Sequence, residues 1–256
     1  MKYYVVADVH GFYSILKSAL GDTGFFSDLQ PHKLIILGDL FDRGREAKEL
    51  QAFVLDLMKK EEVILIKGNH EDLFMDLITQ DRGLPYSHHV SNGTYDTALQ
   101  LTGFDAVMAQ IRHYEFAGAA KKTPYCQTII PAMVDFFETE HYIFTHGWIP
   151  CIRERKGIYS YYSTWREADG IDWMEARWIN GMEAARTAPA EKTVVCGHWH
   201  ASYGHSKLEK KCSEFGPDAD FSPYYGTGVI AMDACTAYSK RINVLIVEDE
   251  DIQSLT

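Results

Sequence analysis

Five short polar clusters stand out along the 256 residues: Asp8-Val9-His10-Gly11, Gly38-Asp39-Leu40-Phe41-Asp42-Arg43-Gly44, Gly68-Asn69-His70-Glu71, His146-Gly147 and Gly197-His198-Trp199-His200. Together they supply Asp8, His10, Asp39, Asn69, His146, His198 and His200, a set of carboxylate, amide and imidazole donors. Such mixed oxygen and nitrogen ligands suit manganese, iron or zinc. Any one cluster is weak, because Asp-x-His or Gly-Asp arises by chance and a lone histidine is more often a surface or core residue than a ligand. The combination carries the argument, and it depends on what places the clusters side by side.

Each cluster directly follows a short aliphatic or β-branched run: Tyr3 to Ala7, Lys33 to Leu37, Val63 to Lys67, Tyr142 to Thr145 and Thr193 to Cys196. These runs read as strands, and in open α/β sheets the crevice beyond the carboxyl ends of the strands is where ligand sites form. Five loops can therefore converge on one metal site. Between the first two runs, Phe12 to Leu20 has helical spacing and is expected to end at Gly21. Between the second and third, Ala47 to Lys60 repeats it, with Leu50, Phe53, Val54, Leu57 and Met58 as a core-facing stripe. The first third is thus a βαβ pattern.

The rhythm changes after Glu71. About 70 residues rich in Tyr, Phe, Met and Ala read as a helical insertion at about 75–140 in a single domain, punctuated by Asn92-Gly93, Gly103 and Thr123-Pro124, with Pro131 beginning a further helix. Trp148 to Ile158 reads as irregular and Asp172 to Ala185 as helical. Val229 to Met232 and Arg241 to Val247 read as two late strands.

Composition narrows the class. With 46% hydrophobic and 24% charged residues the chain is ordinary for a globular protein, and no apolar run reaches the length of a membrane span. Met1 leads straight into a strand-like segment with no secretory pattern, and the five scattered cysteines suit free thiols, so a cytoplasmic location is expected. A formal charge of −11 disfavours nucleic acid and anionic membrane as partners.

The five motifs, in this order, resemble the calcineurin-like metallophosphoesterase superfamily. Gly-Asp-x-x-Asp-Arg-Gly and Gly-Asn-His-Glu resemble its serine/threonine phosphoprotein phosphatase branch. The resemblance runs from Asp8 to about Val247, the insertion apart. It implies an α/β (α+β) four-layer fold, a central β-sandwich flanked by helices. It implies two metal ions, manganese first and iron or zinc next, that activate a shared water for attack on phosphorus. By motif position Asp8, His10 and His200 would hold the first metal, Asp39 would bridge, and Asn69, His146 and His198 would complete the second. His70 would be the general acid, Asp42 the carboxylate that orients it, and Arg43 the grip on the phosphoryl group.

The implied partner is a phosphorylated substrate: a phosphomonoester first, with protein phosphoserine or phosphothreonine as leading guess. The alternatives are a dinucleoside polyphosphate, another nucleotide or a phosphodiester on the same site, and a metal-stabilised binding module without catalysis. Two simpler readings stand beside these roles. Asp42 would cap a helix at Arg43 to Leu50, and Arg43 would be a plain surface residue.

The chain also departs from the branch. Trp199-His200 stands where Thr-Pro is usual, Asn180 where a second phosphate-gripping arginine is found, and Asp233-Ala234-Cys235 where Asp-Thr-Gly is common. Arg177 or Arg186 would either substitute for that arginine or be surface helix residues, and both are left outside the catalytic set. His32, His88, His89, His113, His141 and His205 are assigned to surface or packing, the His88-His89 pair to a solvated loop with a lid as the alternative. Trp165, Trp173 and Trp178 are expected in the core rather than as a base-stacking platform.

Overall fold

A period of two in the strands decides the architecture. The computed structural model describes residues 1–80 and 84–250. The first sheet has the order β11-β1-β2-β3, with β1 (Lys2–Val6), β2 (His32–Leu37) and β3 (Val63–Ile66) parallel and β11 (Leu245–Glu248) antiparallel at the edge. The second has the order β4-β5-β8-β10-β9. Here β5 (Tyr142–Thr145), β8 (Thr193–Cys196) and β10 (Val229–Ala231) are parallel, with β4 (Phe136–Glu138) and β9 (Tyr224–Gly226) as antiparallel edges.

Alternate residues of each strand face opposite ways. Tyr3, Val5, Ile35, Leu37, Ile66, Phe144, Val195 and Met232 meet in one buried cluster drawn from both sheets. Their neighbours Tyr4, Val6, Leu34, Ile36 and Leu65 face the other way, packing with Leu16, Leu20, Leu50, Val54 and Leu57 of the helices Tyr13–Asp22 and Ala47–Lys59. On the far side Ile143, Val194, Cys196, Val229 and Ala231 pack with Trp148, Trp165, Trp173 and Met182. Helices, sheet, sheet, helices: this is the four-layer sandwich expected from the motifs. Each fully buried Leu, Ile or Phe in these clusters stabilises the fold by roughly 1.5–3 kcal/mol relative to exposure.

The strands that precede the five motifs lie within a residue of their expected bounds, and other elements differ. The first helix runs through Gly21 to Asp22, and the left-handed residue that follows it is Gly24, at φ 85°. Residues 148–158 are not wholly irregular: β6 (Cys151–Arg155) and β7 (Ile158–Tyr161) form a separate hairpin. Its β6 is exposed from Ile152 to Arg155 and so carries no in–out alternation to read. The expected helix Asp172 to Ala185 is two, Gly170–Ala176 and Gly181–Ala184, because Asn180 caps the second through its side-chain oxygen. Pro131 lies in the first turn of the short helix Ile130–Ala132, which continues directly from the π-helical Tyr125–Ile129.

Between β3 and β4 the described chain is mostly helical: Asn69–Thr79, Ser87–Asn92, Thr94–Thr102, Ala106–Ile111 and His113–Ala120, then Tyr125–Ile129 running into Ile130–Ala132. Trp165 and Trp173 are core residues as expected, whereas Trp178 is 52% exposed. His89 is fully buried on the helix Ser87–Asn92 and bonds Asp76 at 2.9 Å, so it is not part of a solvated loop. Among the described residues no helix is long and apolar enough to cross a membrane.

Candidate functional site

Because β1, β2 and β3 are parallel, their carboxyl ends share one edge, and those of β5, β8 and β10 share another. Asp8, Asp39, Asn69, His146, His198 and Asp233 each follow one of these six ends. The loops there are tightly bent. Of ten non-glycine residues with positive φ among the described residues, six are Asp8, His10, Asp39, Asp42, Arg43 and His198. Left-handed backbone costs energy in such residues and clusters at functional sites. Gly38, at φ 80°, shows how close the packing is: a Cβ there would stand 2.6 Å from His146 Nδ1 and 2.7 Å from the Gly68 backbone.

Asp39 is the centre. Its carboxylate lies 3.3 Å from His146 Nε2, and 3.7 Å from both His10 Nε2 and His70 Nε2. Two groups of potential ligand atoms share it, one with His10 and His70, the other with His146 and His198. Asn69 Oδ1 stands 2.8 Å from His146 Nε2. His198 lends its backbone N–H to both oxygens of Asp8, at 3.1 and 3.0 Å, and Thr236 donates to the Asp8 carbonyl at 2.9 Å. Glu71 is buried beneath the loops and accepts from the N–H groups of Gly68, Asp39 and Leu40 and from the Tyr125 hydroxyl, stitching two motifs together.

The hydrogen bonds assign the tautomers, and the tautomers test whether cations fit. His146 Nδ1 lies 2.7 Å from the Leu37 carbonyl and so carries the proton, which leaves a lone pair on Nε2. That lone pair faces the oxygens of Asn69 and Asp39, so three acceptors converge with no hydrogen between them. His10 is set likewise: Nδ1 is 2.9 Å from the Phe41 carbonyl and Nε2 points inward. Burial keeps these rings neutral, lowering His10 and His146 and, with the neighbouring His146, taking His198 down to about 3. Burial raises Asp8 well above the carboxylate range, helped by the charges of Asp233 and Asp39, and raises Asp233 to about 7. Acceptors crowded against acceptors, and buried carboxylates facing one another, form a donor set that cations would relieve. The Arg43 guanidinium lies against the cluster, with Nη1 2.8 Å from His10 Nε2 and Nη2 3.2 Å from His70 Nε2.

Beside this cluster is a second arrangement. His70 Nδ1 lies 2.6 Å from Asp42 Oδ2. The Thr94 hydroxyl donates to the same oxygen at 2.6 Å, and the Thr97 hydroxyl to Oδ1 at 2.7 Å. Burial would lower His70, but the Asp39 charge and the Asp42 hydrogen bond outweigh it and raise its pKa. Asp42 therefore does not cap a helix. The helix begins at Ala47, and Asp42 is buried in a carboxylate–imidazole pair.

His200 stands apart from the cluster. Its Nδ1 is 3.0 Å from Ser202 Oγ and its Nε2 3.4 Å from Glu214, so both ring nitrogens have protein partners, and it is in neither group of potential ligand atoms on Asp39. Arg177 is not a surface residue: it is buried, with Nη1 2.6 Å from Asp72 and Nη2 on Asp135. Asp233 was not among the candidates, although its place just beyond the end of β10 is the signal that marks the other five strand ends. Thr94 and Thr97 carried no such signal, since they meet Asp42 across more than fifty residues of chain.

A family model for the calcineurin-like phosphoesterases matches residues 1–230. The chain belongs to that family. As a calcineurin-like phosphoesterase it is 37% identical over 73 residues to serine/threonine-protein phosphatase 2 of Escherichia coli, a match covering 28% of this chain and 31% of that protein. It is 38% identical over 84 residues to serine/threonine-protein phosphatase 2 of Salmonella typhimurium, covering 32% and 36%. These matches span about a third of each curated relative. Among solved structures, a putative diadenosine tetraphosphatase aligns with a TM-score of 0.53 at 13% identity, covering 99% of this chain and 95% of its own. A cold-active protein tyrosine phosphatase aligns at 0.51 and 17%, covering 96% and 73%. At such identities the two structures support the fold alone.

Proposed function

We propose that this calcineurin-like phosphoesterase hydrolyses phosphomonoesters with two bound metal ions, and that phosphoserine or phosphothreonine in protein is the first substrate class to test. The observation that carries the reading is the pairing of His70 with Asp42 directly beside the acceptors gathered on Asp39. Asp8, His10 and Asp39 would hold one ion, and Asp39, Asn69, His146 and His198 the other, with manganese first among candidates. His200, engaged by Ser202 and Glu214, is left out of the set. When bound, the two ions supply charge that activates water and neutralises phosphoryl oxygens.

The protein's own groups account for the rest. His70 holds a proton on the side away from Asp42 and gives it to the departing alkoxide. Asp42 fixes the ring and favours its charged form, and Thr94 and Thr97 fix Asp42. Arg43, exposed at the mouth with its fork on His10 and His70, is placed to exchange those nitrogens for phosphoryl oxygens, whose geometry its planar donors match. The names of the curated relatives support the phosphoprotein substrate. A silent binding module would have no use for a buried acid–imidazole pair next to an exposed arginine.

The test is a substrate panel on chelator-treated protein reloaded with manganese, iron or zinc in turn. Release of phosphate from a phosphoserine peptide and from 4-nitrophenyl phosphate supports the proposal. Faster cleavage of diadenosine tetraphosphate or bis-4-nitrophenyl phosphate overturns the monoester assignment, and no turnover with any metal overturns the enzyme reading.

A further inference from the structure

His198 is the one member of the Asp39, His146 and His198 group that is not fully buried, and its open side meets Trp178. The two rings are 5.7 Å apart and nearly perpendicular, at 85°. Trp178 is large, apolar and half exposed beside a concentration of polar groups, a position that packing does not explain. It forms part of the wall of a cavity of about 530 Å³, shared with Tyr159, Tyr162 and Ile179. That volume lies within the usual range for small-molecule sites, and such sites are lined by aromatic and apolar groups with few polar ones.

We propose that this cavity is a subsite for a planar aromatic group carried by the phosphorylated substrate, with Trp178 as its stacking surface. The proposal rests on the phosphomonoesterase reading and deepens it. An aromatic ring offers Trp178 a flat face at low conformational cost, which an aliphatic chain does not. The polar lining adds a second restriction: Arg153, Asp172 and Glu175 also line the cavity. One cation and two anions repel further phosphates, so the subsite admits a ring attached to a single phosphoryl group and resists the charged bridge of a dinucleoside polyphosphate. The ring can come from the leaving group, as in phosphotyrosine, or from an aromatic side chain next to a phosphoserine.

Binding of two phosphonates, which cannot be hydrolysed, tests this directly. Calorimetry on the metal-reloaded protein should show phenylphosphonate binding more tightly than methylphosphonate, by roughly 3- to 10-fold if stacking alone supplies the difference. Trp178→Ala should remove that preference and Trp178→Phe should keep most of it, with metal content measured on each variant. Equal affinity for the two phosphonates in the native protein, or an unchanged preference in Trp178→Ala, overturns the subsite. So does an equal weakening of both ligands, which would mean that Trp178 acts only through His198. The source of the ring follows from comparing phosphotyrosine with phosphoserine peptides that have or lack a neighbouring tyrosine. A phosphotyrosine advantage places it in the leaving group, and an advantage from the neighbouring tyrosine places it beside the phosphoserine. If no phosphomonoester is turned over, the proposed function fails while the phosphonate preference still reports on the cavity.

Discussion

Replacing His70 with Asn keeps an amide donor for Asp42 and removes the ring nitrogen that faces the mouth of the site. The carboxylate of Asp42 retains Thr94 and Thr97 and is not left as an unpaired buried charge. The backbone N–H of residue 70, which bonds Asp39 at 3.0 Å, is unaffected. On the proposed role, what is lost is a proton donor. General acid catalysis contributes typically 10²–10⁴-fold, which is about 2.7–5.4 kcal/mol of barrier. That full loss is expected only where the leaving group needs a proton. Steady-state assays with glycerol 2-phosphate, an alkyl ester, should therefore show kcat reduced by roughly 10²–10⁴. With 4-nitrophenyl phosphate, whose phenolate departs readily without protonation, the reduction should be far smaller. Metal content, measured on the same samples, should stay near that of the native protein. Equal losses on both esters, or no loss on either, would refute the role given to His70.

Asp39→Asn removes the charge that both ligand groups share, so elemental analysis should find metal loading impaired together with turnover; two ions retained per chain would contradict the central position of Asp39. Gly93 has φ 87°, and a Cβ there would collide with the Arg43 backbone. Gly93→Ala should therefore raise KM for a phosphomonoester by displacing Arg43, while circular dichroism shows the fold retained. Asp249 straps the end of β11 to the β4–β5 turn, accepting from Thr139 at 2.7 Å and from His141 N and Nδ1 at 2.8 Å. Burial opposes its ionisation, but these donors outweigh that and bring it down to about 2. Its contribution is thus fully present above the unfolded value near 3.9 and is lost as pH falls toward about 2. Thermal melts across that window should fall more steeply for the native protein than for Asp249→Asn.

The central strands were legible because both faces are buried, which leaves continuous runs such as Leu34 to Leu37 that end abruptly in polar residues. Metal-ligand types at six such ends are a local signal, plain at five of them; at Asp233 it is obscured because Ala234 and Cys235 replace the expected neighbours. The edge strands β4 and β9 are three residues each and show no pattern of their own. Contacts across distance were not legible. Thr94 and Thr97 look like ordinary helix residues until the helix Thr94–Thr102 is laid against the Asp42 loop. His89 gave no hint of burial because its partner, Asp76, lies on another helix. Trp178 went wrong for a related reason: Trp165 and Trp173 share its composition and spacing, and only the tertiary packing puts two of the three inside.

The donors gathered on Asp39 come from opposite halves of the sandwich, with Asp39 and Asn69 on strand ends of one sheet and His146 and His198 on strand ends of the other. A cation held there would be a rivet through the seam. Free metal at a hundredfold excess over its dissociation constant would add about 2.7 kcal/mol to the work of pulling the sheets apart. Metal starvation would then do more than silence the enzyme: it would loosen the joint and shorten the lifetime of the molecule against proteases.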